Sequence, residues 1–403
     1  MLPCLAADRA LLLGFDVEIA NVHKTLDSLV AKRAKVQARL SAYAYPVQSL
    51  PDEVVSEIFL NYIPPYPICP ALFGNGSPTT LTQICALWRQ IAHKTPGLWR
   101  AIEVLVVSNK AYTAARQLTE LATWAQRSRS LPLSVLVGEP SHDEYLTSAL
   151  GVLLPHRERL EYLGIDYLAF PLRDTKIEIE GIFPALRILD VRAPGSSPVG
   201  RLIGPLVTPR LTTALLDLCD ALQLNWFLEL LPWAQLTRLW LRFVTPRDAA
   251  RILPLAPNLE SCRVIFPRVN SDEPPPPDVP QALVKLPILR ALLVATVDTS
   301  TKEEAYRFLL ALRLPALKRF YITDSEDEWN NAGHVPLRRM IQSFGCELDE
   351  LHVEATDEAI KLYRVALPSI PTIEALEHEG KDCNGGWGDK SWDLFELHGS
   401  QQN

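Results

Sequence analysis

Apolar residues near the front of the chain step by three and four without a break: Leu12, Phe15, Ile19, Val22, Leu26, Leu29, then Arg33, Val36, Leu40 and Tyr43. Only Arg33 interrupts the seam, so the pattern predicts a coiled-coil-like helix over 8–45, about four heptads long, ended by Pro46. Two readings fit such a helix: it packs on its own chain, or it pairs with a second copy as a homodimer. The stretch "SLPDEVVSEIFLNYI", residues 49–63, predicts a second helix. Pro51 suits the first helical position, and Asp52 and Glu53 complement the positive helix N-terminus. Val54, Val55, Ile58, Phe59, Tyr62 and Ile63 form a stripe too broad for four turns to hide alone. "PPYPICPALFGNGSPTT" reads as a loop by its Pro and Gly content. A third helix follows, with Leu81, Ile84, Cys85, Trp88, Ile91 and Ala92 on one face and His93 and Lys94 in its last turn; "TPGLW" stops it.

From about residue 100 the pattern changes. Leu160, Leu186, Leu211, Leu236, Leu259, Leu289, Leu317, Leu348 and Ile373 each begin a hexamer of the Leu-x-x-Leu-x-Leu kind, at steps of 23 to 31 residues. Two earlier strands, "AIEVLVV" and "LPLSVLV", open the array, and helical stretches such as 142–154 and 301–312 lie between hexamers. Units of this kind bury their leucines only against their neighbours. The expected fold is therefore α/β: a long N-terminal helix, a small helical domain over 46–104, then an irregular leucine-rich-repeat-like solenoid over 105–380 with a curved, mainly parallel sheet and outer helices. A doubly wound sheet also alternates strand and helix, but regular recurrence of one hexamer argues against it. No asparagine ladder follows the hexamers. Pro-rich insertions at 269–281 and around 325–336 read as edge loops, and the tail 381–403 carries neither period.

Composition narrows the function. With 403 residues, 48% apolar and 22% charged, the chain has the make-up of an ordered globular protein. A net charge of -7 without a basic run argues against a general nucleic-acid binder. Seven scattered cysteines with no Cys-x-x-Cys pair favour a reducing compartment, cytoplasmic or nuclear, over a disulfide framework or a zinc site. No basic n-region precedes the short apolar run at the start, so no signal peptide is expected, nor is a membrane span. Asn75-Gly76-Ser77 is read as a chance sequon in a loop. No phosphate loop, metalloprotease, serine-hydrolase or Cys/His ligand motif occurs, so neither catalysis nor a cofactor is expected. "CNGGW" at 383–387 echoes papain-like proteases but lacks their nucleophile segment; "DSEDE" at 324–328 reads as a solvated loop.

The stretches "LPDEVVSEIF" and "LTQICALWRQIAHKTPGLW" together resemble the F-box, in the F-box-like form abundant in fungal proteins. There, too, a coiled-coil helix leads into Leu-Pro-x-Glu, and a Cys-x-x-Trp-Arg helix ends in Thr-Pro-x-Leu-Trp. The match covers roughly 55 residues, with a linker longer and richer in Pro and Gly than in the compact F-box. The resemblance implies docking to a Skp-family adaptor, and through it to a cullin, by residues at Leu50, Pro51, Glu53, Val54, Ile58, Phe59, Leu81, Ile84, Cys85 and Trp88. It implies a substrate-recognition subunit of a ubiquitin ligase; a repeat scaffold with a degenerate F-box is the alternative.

Alternation along a strand sends the residues between hexamer leucines to the opposite, concave side. Those positions hold Asp190, Arg192, Arg238, Trp240, Arg242, Arg263, Arg319 and Tyr321, then Glu350, His352, Glu354, Glu377 and Glu379. Arg, Trp and Tyr dominate binding hot spots. Arg238, Trp240, Arg242, Arg263, Arg319 and Tyr321 are therefore expected to form a substrate patch for an acidic or phosphorylated protein, the competing reading being ordinary exposed strand residues.

Overall fold

The computed structural model describes residues 2–42, 50–105, 114–138, 143–166, 179–192, 203–217, 221–267, 283–296, 302–324, 335–354 and 357–375. The tail 381–403, the Pro-rich insertion 269–281, and Glu377 and Glu379 lie outside them. The chain divides into two compact units, Met1–Ile58 and Phe59–Asn403.

In the first unit, helix α1 (Leu2–Ala42) runs through the whole predicted seam. Every residue from 7 to 39 is exposed. Helix α2 (Asp52–Tyr62) starts one residue later than expected: Pro51 precedes it, and the Pro51 carbonyl accepts the Val55 N–H at 3.1 Å. Its broad stripe is divided by helical geometry. Val55 and Phe59, one turn apart, are buried, while Val54, Ile58 and Tyr62 stay outside.

In the second unit, the single helix expected over 81–92 is two, α3 (Pro78–Ile84) and α4 (Ala86–Lys94). Ser77 caps the first, its Oγ accepting the Thr79 N–H, with Pro78 in the first turn. Cys85 breaks the run: its backbone is extended (φ -155°, ψ 170°), and its Sγ accepts the Trp88 N–H at 3.4 Å as the cap of α4. Phe59 meets Trp88 edge to face at 4.9 Å.

Eleven strands form one parallel sheet: β1 (Ala101–Leu105), β2 (Leu133–Gly138), β3 (Leu160–Asp166), β4 (Ile188–Arg192), β5 (Thr213–Asp217), β6 (Arg238–Arg242), β7 (Ser261–Phe266), β8 (Ala291–Thr296), β9 (Arg319–Asp324), β10 (Glu350–Val353) and β11 (Thr372–Ala375). Each pairs with the next in sequence, without the reversal that makes the ligand crevice of a doubly wound sheet. Register aligns the hexamers: Leu163, Leu189, Ala214, Leu239, Cys262, Leu292, Phe320, Leu351 and Ile373 stand side by side. Ile373 thus occupies the fourth hexamer position, and the last hexamer begins at Ile370, not at Ile373 as expected.

Between strands run α5 (Ala114–Arg127), α6 (Asp143–Leu153), α7 (Ala221–Leu230), α8 (Pro246–Ile252), α9 (Lys302–Leu310), α10 (Val335–Phe344) and α11 (Asp357–Ala366). Aromatic pairs seat some of them on the leucine face of the sheet: Phe266 with Phe308 of α9 at 5.7 Å, and Phe320 with Phe344 of α10 at 5.3 Å. Six of the returns to the sheet use one turn. In Phe183-Pro-Ala-Leu186, Thr208-Pro-Arg-Leu211, Ala256-Pro-Asn-Leu259, Leu286-Pro-Ile-Leu289, Leu314-Pro-Ala-Leu317 and Leu367-Pro-Ser-Ile370, the last N–H bonds the first carbonyl, 3.1–3.5 Å away. Proline pre-sets φ at the second position of such a turn. Just after it, the residues entering the strands form a backbone ladder through Glu161, Arg187, Thr212, Thr237, Glu260, Arg290, Lys318 and Asp349.

Candidate functional site

Two regions hold the residues singled out from sequence. In the helical region, Leu50, Pro51, Glu53, Val54, Ile58 and Ile84 are exposed, and Cys85 and Trp88 are half-buried. Phe59 and Leu81 are buried, which makes them packing residues instead of open contacts. Trp99 is sealed too: its Nε1–H bonds the Ala92 carbonyl at 2.8 Å, its ring meets Trp124 of α5 edge to face at 5.4 Å, and the Arg127 guanidinium lies over it.

The linker 64–77 is not a free loop. Ala71 bridges Glu103 of β1 in parallel, so this segment covers the edge that β1 would otherwise expose. The Tyr66 hydroxyl donates to Glu161 Oε2 at 2.7 Å beneath the Arg100 guanidinium, 3.7 Å from the ring centre. Burial, then the Glu161 contact, push the Tyr66 phenol well above its usual range. Ser134 of β2 joins in through the Pro67 carbonyl and the Cys69 thiol.

On the sheet face opposite the leucines, register draws one row across ten strands: Leu136, Gly164, Asp190, Leu215, Trp240, Arg263, Leu293, Tyr321, His352 and Glu374. The alternation expected from sequence therefore places Trp240, Arg263, Tyr321 and His352 together, and Arg238 and Arg319 share the neighbouring row. Their exposure differs from expectation. Trp240 and Tyr321 are buried, while Arg238, Arg242, Arg263 and Arg319 are half-buried. Stacking explains it: the Arg263 guanidinium sits 4.1 Å from the Trp240 ring centre, and Tyr321 and His352 stack at 4.4 Å with rings 8° apart. Glu350 and Glu374 flank His352 at 3.6 and 3.8 Å. Burial raises the Tyr321 phenol, against the opposing Arg319 charge.

At the other end of the face lies a cluster that pattern reasoning only half anticipated. Arg192 pairs with Asp190 at 3.0 Å, and Tyr162 donates to the same carboxylate at 2.8 Å. Burial first, then the Asp190 charge, raise the Tyr162 phenol well above its usual value. Tyr162, Gly164 and Asp217 belong to this face by the same alternation; applying it to "LEYLGI" and "LTTALLD" as well finds them.

Among the described residues, no His/Cys/Asp/Glu group is placed to hold a metal, and no helix is long and apolar enough to cross a membrane. No family model matches the chain, and no curated protein is significantly similar to it.

Proposed function

We propose that the chain is a non-catalytic substrate-recognition subunit of a Skp–cullin–F-box type ubiquitin ligase. The observation that carries this reading is the divided stripe of α2: Val55 and Phe59 anchor the helix while Val54 and Ile58 remain uncovered in the segment that resembles the F-box. Leu50, Pro51, Glu53 and Ile84 supply further exposed positions for the adaptor. The strand–helix units are read as an irregular leucine-rich-repeat solenoid, supported by the unbroken strand order and shared register. Its arginine-bearing face, with Arg238, Arg242, Arg263 and Arg319 half-exposed over packed Trp240 and Tyr321, suits an acidic or phosphorylated segment of a substrate. The chain would then act by tethering, holding substrate lysines near the ubiquitin carrier at an effective concentration of about mM.

A second reading, a repeat scaffold without adaptor binding, is favoured by the helix break at Cys85 and by the linker docked on β1. A pull-down of the purified chain with a Skp-family adaptor separates the two. The ligase reading expects a stable complex that Val54→Asp plus Ile58→Asp abolishes with the fold intact by circular dichroism. A wild-type chain that captures no adaptor, or a double variant that captures it equally well, would refute it.

A further inference from the structure

We propose that α1 forms an antiparallel two-stranded coiled coil with α1 of a second copy of this chain. The seam from Leu12 to Val36 keeps 45–67% of each apolar side chain exposed, and its strict three-four spacing fits a two-helix seam. The occupant follows from charge. Residues 8–20 carry Asp8, Asp16 and Glu18 against Arg9, a net -2, whereas residues 28–42 carry Lys32, Arg33, Lys35 and Arg39 with no acid, a net +4. Complementing the helix dipole does not require this segregation, because that effect fades within the first and last turns. Asp16, Glu18 and Lys32 to Lys35 all lie more than a turn inside Leu2–Ala42.

Segregated charge decides direction. Side by side and parallel, +4 would face +4, and Arg33 would meet its own copy across the seam. Reversed, the acidic half of each helix lies along the basic half of the other. Positions alternate so that Arg33 then faces an apolar residue, Val22 or Phe15 of the second copy, in the two registers that best overlap the seam Leu12–Leu40. Glu18, beside the seam, faces Arg39 or Lys32 in those same registers. The helix is thus complementary to itself only when antiparallel, which selects a second copy over an unrelated partner.

Sedimentation equilibrium of the full chain, without any adaptor, tests this independently of the ligase reading. A dimer is expected. Lys32→Glu plus Arg39→Glu should weaken it about tenfold, and adding Glu18→Lys should restore it. Glu18→Lys alone should weaken it in the same direction, with helix content checked by circular dichroism. A parallel pair would instead tighten when Lys32 and Arg39 become acidic. That outcome, or a monomer at every concentration up to about 100 μM, overturns the proposal.

Discussion

Two ion pairs of equal length give the sharpest test of how burial sets the strength of a contact. Arg192 reaches Asp190 at 3.0 Å with side chains only 9% and 2% exposed, and Arg307 reaches Glu303 at the same 3.0 Å with side chains 54% and 70% exposed. Exposed pairs one turn apart on a helix are worth about 0.3–0.5 kcal/mol, so Arg307→Ala should barely move the unfolding midpoint. Asp190→Ala takes the carboxylate from a buried guanidinium and from the Tyr162 hydroxyl, which should cost about 3–5 kcal/mol. Replacing the whole cluster, Asp190→Leu with Arg192→Met and Tyr162→Phe, removes the desolvation penalty with the attraction, leaves no hydroxyl without its acceptor, and should be neutral or stabilising by about 1–4 kcal/mol. Urea unfolding followed by tryptophan fluorescence reads all three as midpoint shifts, provided the slope with denaturant is unchanged. If Asp190→Ala falls within about 1 kcal/mol of Arg307→Ala, the cluster contributes no more than a surface pair, and the reasoning is refuted.

Glycine offers a second contrast. A Cβ at Gly164 would stand 2.5 Å from Leu136 Cδ1 and 2.8 Å from the Tyr162 hydroxyl, which Asp190 holds in place, so Gly164→Ala should cost about 1–3 kcal/mol. At Gly151 in α6 nothing lies within 4 Å, and Gly151→Ala should instead gain up to about 1 kcal/mol; equal signs in urea unfolding would refute the contrast. Acid should also weaken the fold. His93 and His156 are held below the usual histidine value of 6.5 by burial first, then by Arg127 and Arg89 around one and Arg159 beside the other. The unfolded chain therefore takes up protons first, so this stability is complete above that value and lost as pH falls from it through the lower folded values. Melting scans should show a lower Tm at about pH 5.5 than at about pH 7.5, with the drop reduced by His93→Asn plus His156→Asn; an unchanged drop would assign it elsewhere.

The leucine spacing made the sheet readable because a buried, period-two strand must repeat its apolar positions wherever it meets the same neighbours. It misplaces the last hexamer because Ile373 fits the first leucine's position by spacing, whereas the turn Leu367-Pro-Ser-Ile370 marks the true start. The same proline recurs at Pro184, Pro209, Pro257, Pro287 and Pro315, a signal that marks six of the nine hexamer starts. Cys85 was not readable in this way. Spacing from Leu81 to Ala92 continues as an unbroken helix, and a thiol is a weaker cap than the hydroxyls and carboxamides that announce a new N-terminus.

Exposure on the sheet face opposite the leucines is not legible in alternation, and the reason bears on the proposed recognition. Alternation says which side of a sheet a residue occupies, but parallel strands lie only about 4.8 Å apart, closer than a large side chain is wide. Neighbours in one row therefore bury each other, as Arg263 does over Trp240 and His352 against Tyr321. A ring already withdrawn from water has little left to gain on binding, since hot-spot energy comes from surface that loses solvent when the partner arrives. Trp240 and Tyr321 accordingly serve as a rigid floor that fixes the guanidinium groups above and beside them. The groups still open to a partner are the half-buried Arg238, Arg242, Arg263 and Arg319. Recognition on this face would then rest on charge pattern over a stiff support, a mode that tolerates varied apolar residues in the partner while demanding a fixed placement of its acidic groups.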